Sequence, residues 1–99
     1  MEIKVQAIRF EATEKLKEFI DKKVSKLSKF DDKIRKVEVT LKVVKPETAN
    51  NKEVLLALST SGKELFAQET CDTFEEAIDK TVDSLTRQLS KHKEKSANR

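Results

Sequence analysis

The 99-residue chain has no tryptophan and no tyrosine, and only one each of cysteine, histidine, glycine, proline and methionine. Each scarcity closes a route. A lone Cys71 excludes an internal disulfide, and with His92 as the sole histidine no zinc site of Cys and His ligands can be assembled. Cys71 is therefore expected at a buried or edge-strand position. A single glycine, Gly62, rules out a phosphate-cradling glycine loop, and no Ser-His-Asp arrangement is present. His92 lies near a helix end among lysines with no identifiable partner, which fits an exposed residue supporting that helix end better than a general base. No apolar run reaches the length of a membrane span or signal peptide, and residues 1–10 alternate charged and apolar side chains. These absences describe a cytoplasmic protein that is not an enzyme, with no cofactor, no metal, no membrane partner and no small-molecule substrate.

What the chain has is charge. Charged residues make up 39% and apolar ones 36%, so one thin core is expected, with charge covering nearly everything outside it. The net charge of +3 conceals a sorting. Residues 15–36 carry nine basic against four acidic side chains, and residues 80–99 six against two. Residues 46–79 carry two against eight. One basic and one acidic region follow, and a basic region on a small protein suits a polyanion partner.

Hydropathy periods give the elements. Ile3, Val5 and Ala7 alternate before the register shifts at Ile8 and Phe10, as in a strand leaving its sheet. Thr13 can cap a helix in which Leu16, Phe19, Ile20, Val24 and Leu27 recur at helical spacing to about Phe30. From Lys36 the period becomes two, with Val37, Val39, Leu41 and Val43 on one face until Pro46. Residues 47–51 read as a polar turn, and 54–58 and 65–70 as two strands joined through Ser61 and Gly62, where Gly62 supplies a positive φ. Thr73 and Glu76 fit a capping box ahead of an apolar stripe at Phe74, Ala77, Ile78, Val82, Leu85 and Leu89. The fold class is α+β: a two-layer β-α-β-β-β-α arrangement, a four-stranded sheet with two helices packed on one face. A right-handed crossover makes the first two strands parallel neighbours and the others antiparallel. One domain spans residues 1–95, and 96–99 form a frayed tail.

The second helix carries the functional signal. With its apolar stripe inward, Lys80, Ser84, Arg87, Lys91 and Lys95 fall along one flanking edge. Cations near a helix C-terminus also complement the macrodipole, and this helix alone does not separate the two readings. The first helix tips the balance, because Lys22, Lys23, Lys26 and Lys29 crowd its C-terminal half. Two basic helices on one side of a thin sheet can meet phosphates. The five phenylalanines fall mostly at core positions, so recognition of folded or double-stranded RNA through backbone and shape is expected rather than stacking on unpaired bases.

The residues 11–30, Glu-Ala-Thr-Glu-Lys-Leu-Lys-Glu-Phe-Ile-Asp-Lys-Lys-Val-Ser-Lys-Leu-Ser-Lys-Phe, resemble the first helix of the ribosome hibernation-promoting factors. That family is grouped with the ribosome-associated inhibitor and the sigma-54 modulation proteins. The run from Ala77-Ile-Asp-Lys through Leu85-Thr-Arg-Gln-Leu-Ser-Lys-His-Lys-Glu-Lys is similar to the family's second helix and is the more specific motif. The resemblance implies a fold related to the double-stranded-RNA-binding domain. It also implies binding to small-subunit ribosomal RNA in the decoding channel, which would exclude messenger and transfer RNA and inhibit translation in idle or stressed cells. By position it makes Lys23, Lys26, Lys29, Arg87, Lys91, His92, Lys93 and Lys95 the RNA contacts, while Lys22 and Lys80 are added on geometry alone. The partners it implies are the small ribosomal subunit with its rRNA and a separate ribosome-dimerising factor, the protein itself being a monomer when free. Thr73-Phe-Glu-Glu departs from the family's usual Asp-Met-Tyr-x, and Cys71 stands where a small residue, often Gly, is common. The chain looks like a short form, and its basic end favours the hibernation-promoting branch. Two other readings stay open: a general structured-RNA-binding module, and a protein-interaction regulator of transcription acting through the acidic segment 46–79.

Overall fold

The computed structural model describes the backbone of residues 1–44 and 50–97 and, within these, side chains through Lys91. Strand β1 (Glu2–Ala7) leads into helix α1 (Glu14–Ser25), which tightens into a 3₁₀ turn over Lys26–Lys29. Strands β2 (Ile34–Val43), β3 (Lys52–Thr60) and β4 (Lys63–Cys71) follow, and helix α2 (Phe74–Ala97) ends the described chain. The sheet order is β1-β2-β3-β4, with β1 parallel to β2 and the other neighbours antiparallel, as expected from a right-handed first crossover.

Several element ends differ from expectation for identifiable reasons. β2 starts at Ile34 rather than Lys36, because a register shift between Ile34 and Lys36 lets Ile34 pair with Thr60 and turn into the core. β3 and β4 are longer than their apolar runs, since backbone pairing continues through Ser59–Glu64 and Thr60–Lys63 to a two-residue turn. Both turn residues have positive φ, 45° at Ser61 and 76° at Gly62, the type I′ geometry that matches strand twist. The Pro46 stop and most of the expected 47–51 turn lie outside the described residues, as do Asn98 and Arg99 of the expected tail. At the near side of that connection, Asn50 N donates to Asp72 Oδ1 at 2.7 Å, and Val44 N donates to the Asn51 carbonyl at 2.8 Å.

Both helix starts are capped as the sequence suggests. Thr13 Oγ1 accepts from Leu16 N at 3.1 Å, and Thr73 Oγ1 accepts from Glu76 N at the same distance. The box at α2 is one-sided, because the Glu76 carboxylate leans along the helix toward Lys80 Nζ, 3.8 Å away.

The core lies between one sheet face and the helices. Val37, Val39 and Leu41 of β2, Val54, Leu56 and Leu58 of β3, and Ala67 and Cys71 of β4 face Leu16, Ile20, Val24 and Leu27 of the first helical segment and Ala77, Ile78, Leu85 and Leu89 of α2. The expected stripe of α2 is centred slightly differently: Thr81 is fully buried and Val82 only half-buried. Thr81 tolerates burial because its hydroxyl bonds the carbonyls of Ala77 (3.0 Å) and Ile78 (2.9 Å). Among the described residues no helix is long and apolar enough to cross a membrane.

Candidate nucleic-acid interface

Chain direction places the cations. β1 and β4 point the same way, since β1 runs with β2 and two antiparallel steps separate β2 from β4. Each is followed by a helix that doubles back, so α1 and α2 also point the same way. Two contacts fix this: Phe10 and Phe74, at the helix starts, stack with centroids 5.2 Å apart, and further along Lys23 Nζ meets Asp79 Oδ1 at 3.1 Å. The basic C-terminal halves of both helices therefore extend toward one end of the sheet, the end that carries the Ser61-Gly62 turn. The structure brings together there what are separate stretches in sequence.

The candidate side chains do not share one electrostatic state. Lys80 pairs with Glu76, Arg87 NH2 lies 3.3 Å from Asp83 Oδ2, and Lys23 is joined to Asp79 while sitting 5.5 Å from the Phe19 ring centroid. Lys22, Lys26, Lys29 and Lys91 are exposed and have no acidic partner within 4.0 Å among the described residues. These four are the cations most available to an external anion. His92, Lys93 and Lys95 lie on the last turns of α2, and their side chains fall outside the described residues.

Sequence reasoning passed over further cations at this end. Lys33 and Arg35 follow the 3₁₀ turn, Lys63 opens β4, and all three are exposed. The pairing of Ile34 with Thr60 and of Thr60 with Lys63 collects them, and the charge count over 15–36 already held two of the three. Lys36 is different: its ammonium lies 2.7 Å from Glu38 on the open sheet face. The hydrogen bond and charge of Glu38 raise the Lys36 pKa, and the same contacts lower that of Glu38.

The aromatic expectation needs correction. Phe66 is 54% exposed and Phe30 39% exposed, while Phe10, Phe19 and Phe74 are only partly buried. Phe66 has the outward parity of Glu64 and Gln68 on β4, and Phe30 lies three residues past Leu27, whose side chain fills the core position. Cys71 is buried as expected, and burial pushes its thiol pKa up. Among the described residues no cluster of His, Cys, Asp and Glu is able to hold a metal. An open depression of about 420 Å³ beside β1, lined by Val5, Ala7, Phe10 and Ala12 with Glu11, Glu14 and Lys17, lies at the opposite end.

Fold and cation placement define a class: a small α+β domain with two co-directional helices on one sheet face and a cationic pole at their C-terminal ends. The chain belongs to the sigma 54 modulation protein / S30EA ribosomal protein family, whose profile matches residues 3–97. It is 36% identical over 95 residues to a ribosome hibernation promoting factor of Escherichia coli K12, a match covering 96% of each chain. A protein of the same name from Azotobacter vinelandii is 31% identical over 99 residues, covering 100% of this chain and 89% of the relative. In structure it resembles a ribosomal subunit interface protein from Coxiella burnetii, with TM-score 0.84 and 24% identity over 94% of this chain and 98% of the other. The N-terminal domain of Protein Y from Thermus thermophilus follows with TM-score 0.79 and 22% identity, over 93% and 99% of the two chains. At these identities the two structural likenesses speak to fold.

Proposed function

We propose that this protein is a ribosome hibernation factor. It binds small-subunit ribosomal RNA in the decoding channel through the cationic pole and sterically blocks messenger and transfer RNA, inhibiting translation in the cytoplasm of idle or stressed cells. The observation that carries this reading is the convergence of Lys22, Lys26 and Lys29 with Lys91 at one end of the helical layer, exposed and without acidic partners within 4.0 Å among the described residues. Because the sheet topology makes the two helices co-directional, complementation of their dipoles already gathers last-turn cations at one pole. What favours a polyanion is that Lys22, Lys26, Lys29 and Lys91 stand there exposed and without acidic partners within 4.0 Å among the described residues, free to neutralise phosphates and release their condensed counterions. The match to hibernation promoting factors over 96% or more of this chain supports the ribosome as the polyanion.

The interface comprises Lys22, Lys23, Lys26, Lys29, Lys80, Arg87, Lys91, His92, Lys93 and Lys95, with a separate dimerising factor as a further partner. Nothing in this mechanism calls for catalysis, since occupancy alone excludes other ligands. Co-sedimentation with purified small subunits tests it: wild type pellets, and Lys26→Glu combined with Lys91→Glu does not. Affinity falls with salt at a log-log slope of about −0.7 to −0.9 per phosphate neutralised. Equal pelleting of both proteins sinks the proposal. Competition by bulk transfer RNA or plain duplex RNA at comparable concentration would instead identify a general RNA-binding module.

A further inference from the structure

Phe30 stands on the cationic pole, 39% exposed, between Lys29 and the chain's turn into β2. A single exposed apolar side chain is ordinary in itself. Three features of this one are not.

The first is rigidity. Phe30 N donates to the Leu27 carbonyl at 3.0 Å and Asp31 N donates to the same carbonyl at 3.3 Å, while the Leu27 side chain is fully buried. Asp31 is then clamped on both carboxylate oxygens: Oδ1 accepts from Lys33 N at 2.8 Å, and Oδ2 accepts from Thr60 Oγ1 at 2.6 Å. Thr60 is itself 1% exposed at the end of β3. The ring is thus displayed from a fixed tip, and a ligand that meets it loses little backbone entropy.

The second feature is charge. Lys26, one helical turn back, and Lys29, adjacent, are exposed and lack acidic partners within 4.0 Å among the described residues. The third is contrast. Phe66 is more exposed but sits on the open sheet face in the row of Ala57 and Glu38, beside the neutralised Lys36–Glu38 pair and with Glu64 two residues away on its own strand. Phe19 also meets a lysine, Lys23, but that ring is half-buried and its lysine is paired with Asp79, whereas Phe30 is exposed beside cations with no acidic partner within 4.0 Å among the described residues.

We propose that Phe30 is a stacking platform for one unpaired base of the bound RNA, with the flanking phosphates held by Lys26 and Lys29. This assignment rests on the RNA-binding function proposed above and narrows it. A base inside a duplex offers no free face, so the element recognised is a loop, bulge or strand end.

Phe30→Leu keeps an apolar side chain of similar bulk and removes the ring. Phe30→Trp keeps a ring and, because the chain has no tryptophan, installs a sole fluorophore. With both variants checked for native circular dichroism and unfolding midpoint, small-subunit affinity and its salt slope are measured. Phe30→Leu is expected to bind roughly fivefold to a hundredfold more weakly with an unchanged slope, the effect of losing one base–aromatic stack. Phe30→Trp retains affinity, and its emission is quenched on binding. Wild type that binds, with Phe30→Leu within twofold of it, overturns the stacking assignment alone. Wild type that fails to bind overturns the RNA-binding function and this assignment with it.

Discussion

Lys23 Nζ lies 3.1 Å from Asp79 Oδ1 and 5.5 Å from the Phe19 ring centroid, so a lysine of α1 is held by α2 and by its own helix. The contact joins the two helices over their shared core. It also makes Lys23 the one α1 lysine of the proposed interface that has an acidic partner within 4.0 Å among the described residues.

Both members of that pair are partly exposed, which limits its worth. Asp79→Asn is expected to cost less than about 1 kcal/mol in urea denaturation. Lys23→Ala loses the ring contact as well and costs about 1 kcal/mol. The functional effects run differently. Asp79→Asn releases an ammonium at the pole and tightens small-subunit binding, whereas Lys23→Ala weakens it less than Lys26→Ala, as titrations at one salt concentration would show.

At the β3–β4 turn the strain sits on serine. Ser61 occupies φ 45°, a region where asparagine and glycine are at ease, and it precedes Gly62 at φ 76°. Ser61→Asn creates the favoured Asn-Gly pair and is expected to stabilise the protein by about 0.5 kcal/mol. Gly62→Ala meets no atom within 4 Å, so its cost is purely conformational, about 1 kcal/mol or more. Equal unfolding midpoints for the two variants would contradict this assignment of strain.

The buried Cys71 thiol has a pKa raised chiefly by desolvation, opposed by the nearby Lys80 ammonium and reinforced by the charges of Glu76 and Glu69. An acid whose folded pKa lies above its unfolded one ionises first in the unfolded chain, so it costs no stability while both states stay protonated. Stability then falls as pH rises through the ordinary value of 9.0 toward the folded one. Wild type should lose stability more steeply above pH 9.0 than Cys71→Ala, measured by urea midpoints across that range. At pH 8 the native thiol should react with a disulfide reagent far more slowly than after denaturant is added.

Much of the fold was legible because backbone geometry fixes side-chain direction over short distances. Val37, Val39 and Leu41 alternate and are buried on one sheet face, and Ile20, Val24 and Leu27 recur at helical spacing and are buried too. The caps at Thr13 and Thr73 are equally local. Long-range relations escaped. Gln88 reads as a polar surface residue, yet its Nε2 donates to the Phe66 carbonyl of β4 at 3.0 Å. The tie of Asp31 to Thr60 spans 29 positions, and no local pattern signals it.

The same division holds for the site. The sequence by itself determined that the C-terminal halves of two helices are rich in lysine and that segment 46–79 carries the acid, because charge and period are properties of neighbouring residues. The tertiary structure decided that both basic ends share one pole, that Lys23, Lys80 and Arg87 meet acids while Lys22, Lys26, Lys29 and Lys91 stand clear of those ion pairs, and that Phe30 faces outward. Sheet topology, together with filling of the core by Leu27 and Ile34, sets those outcomes. Both depend on which distant segments pack together.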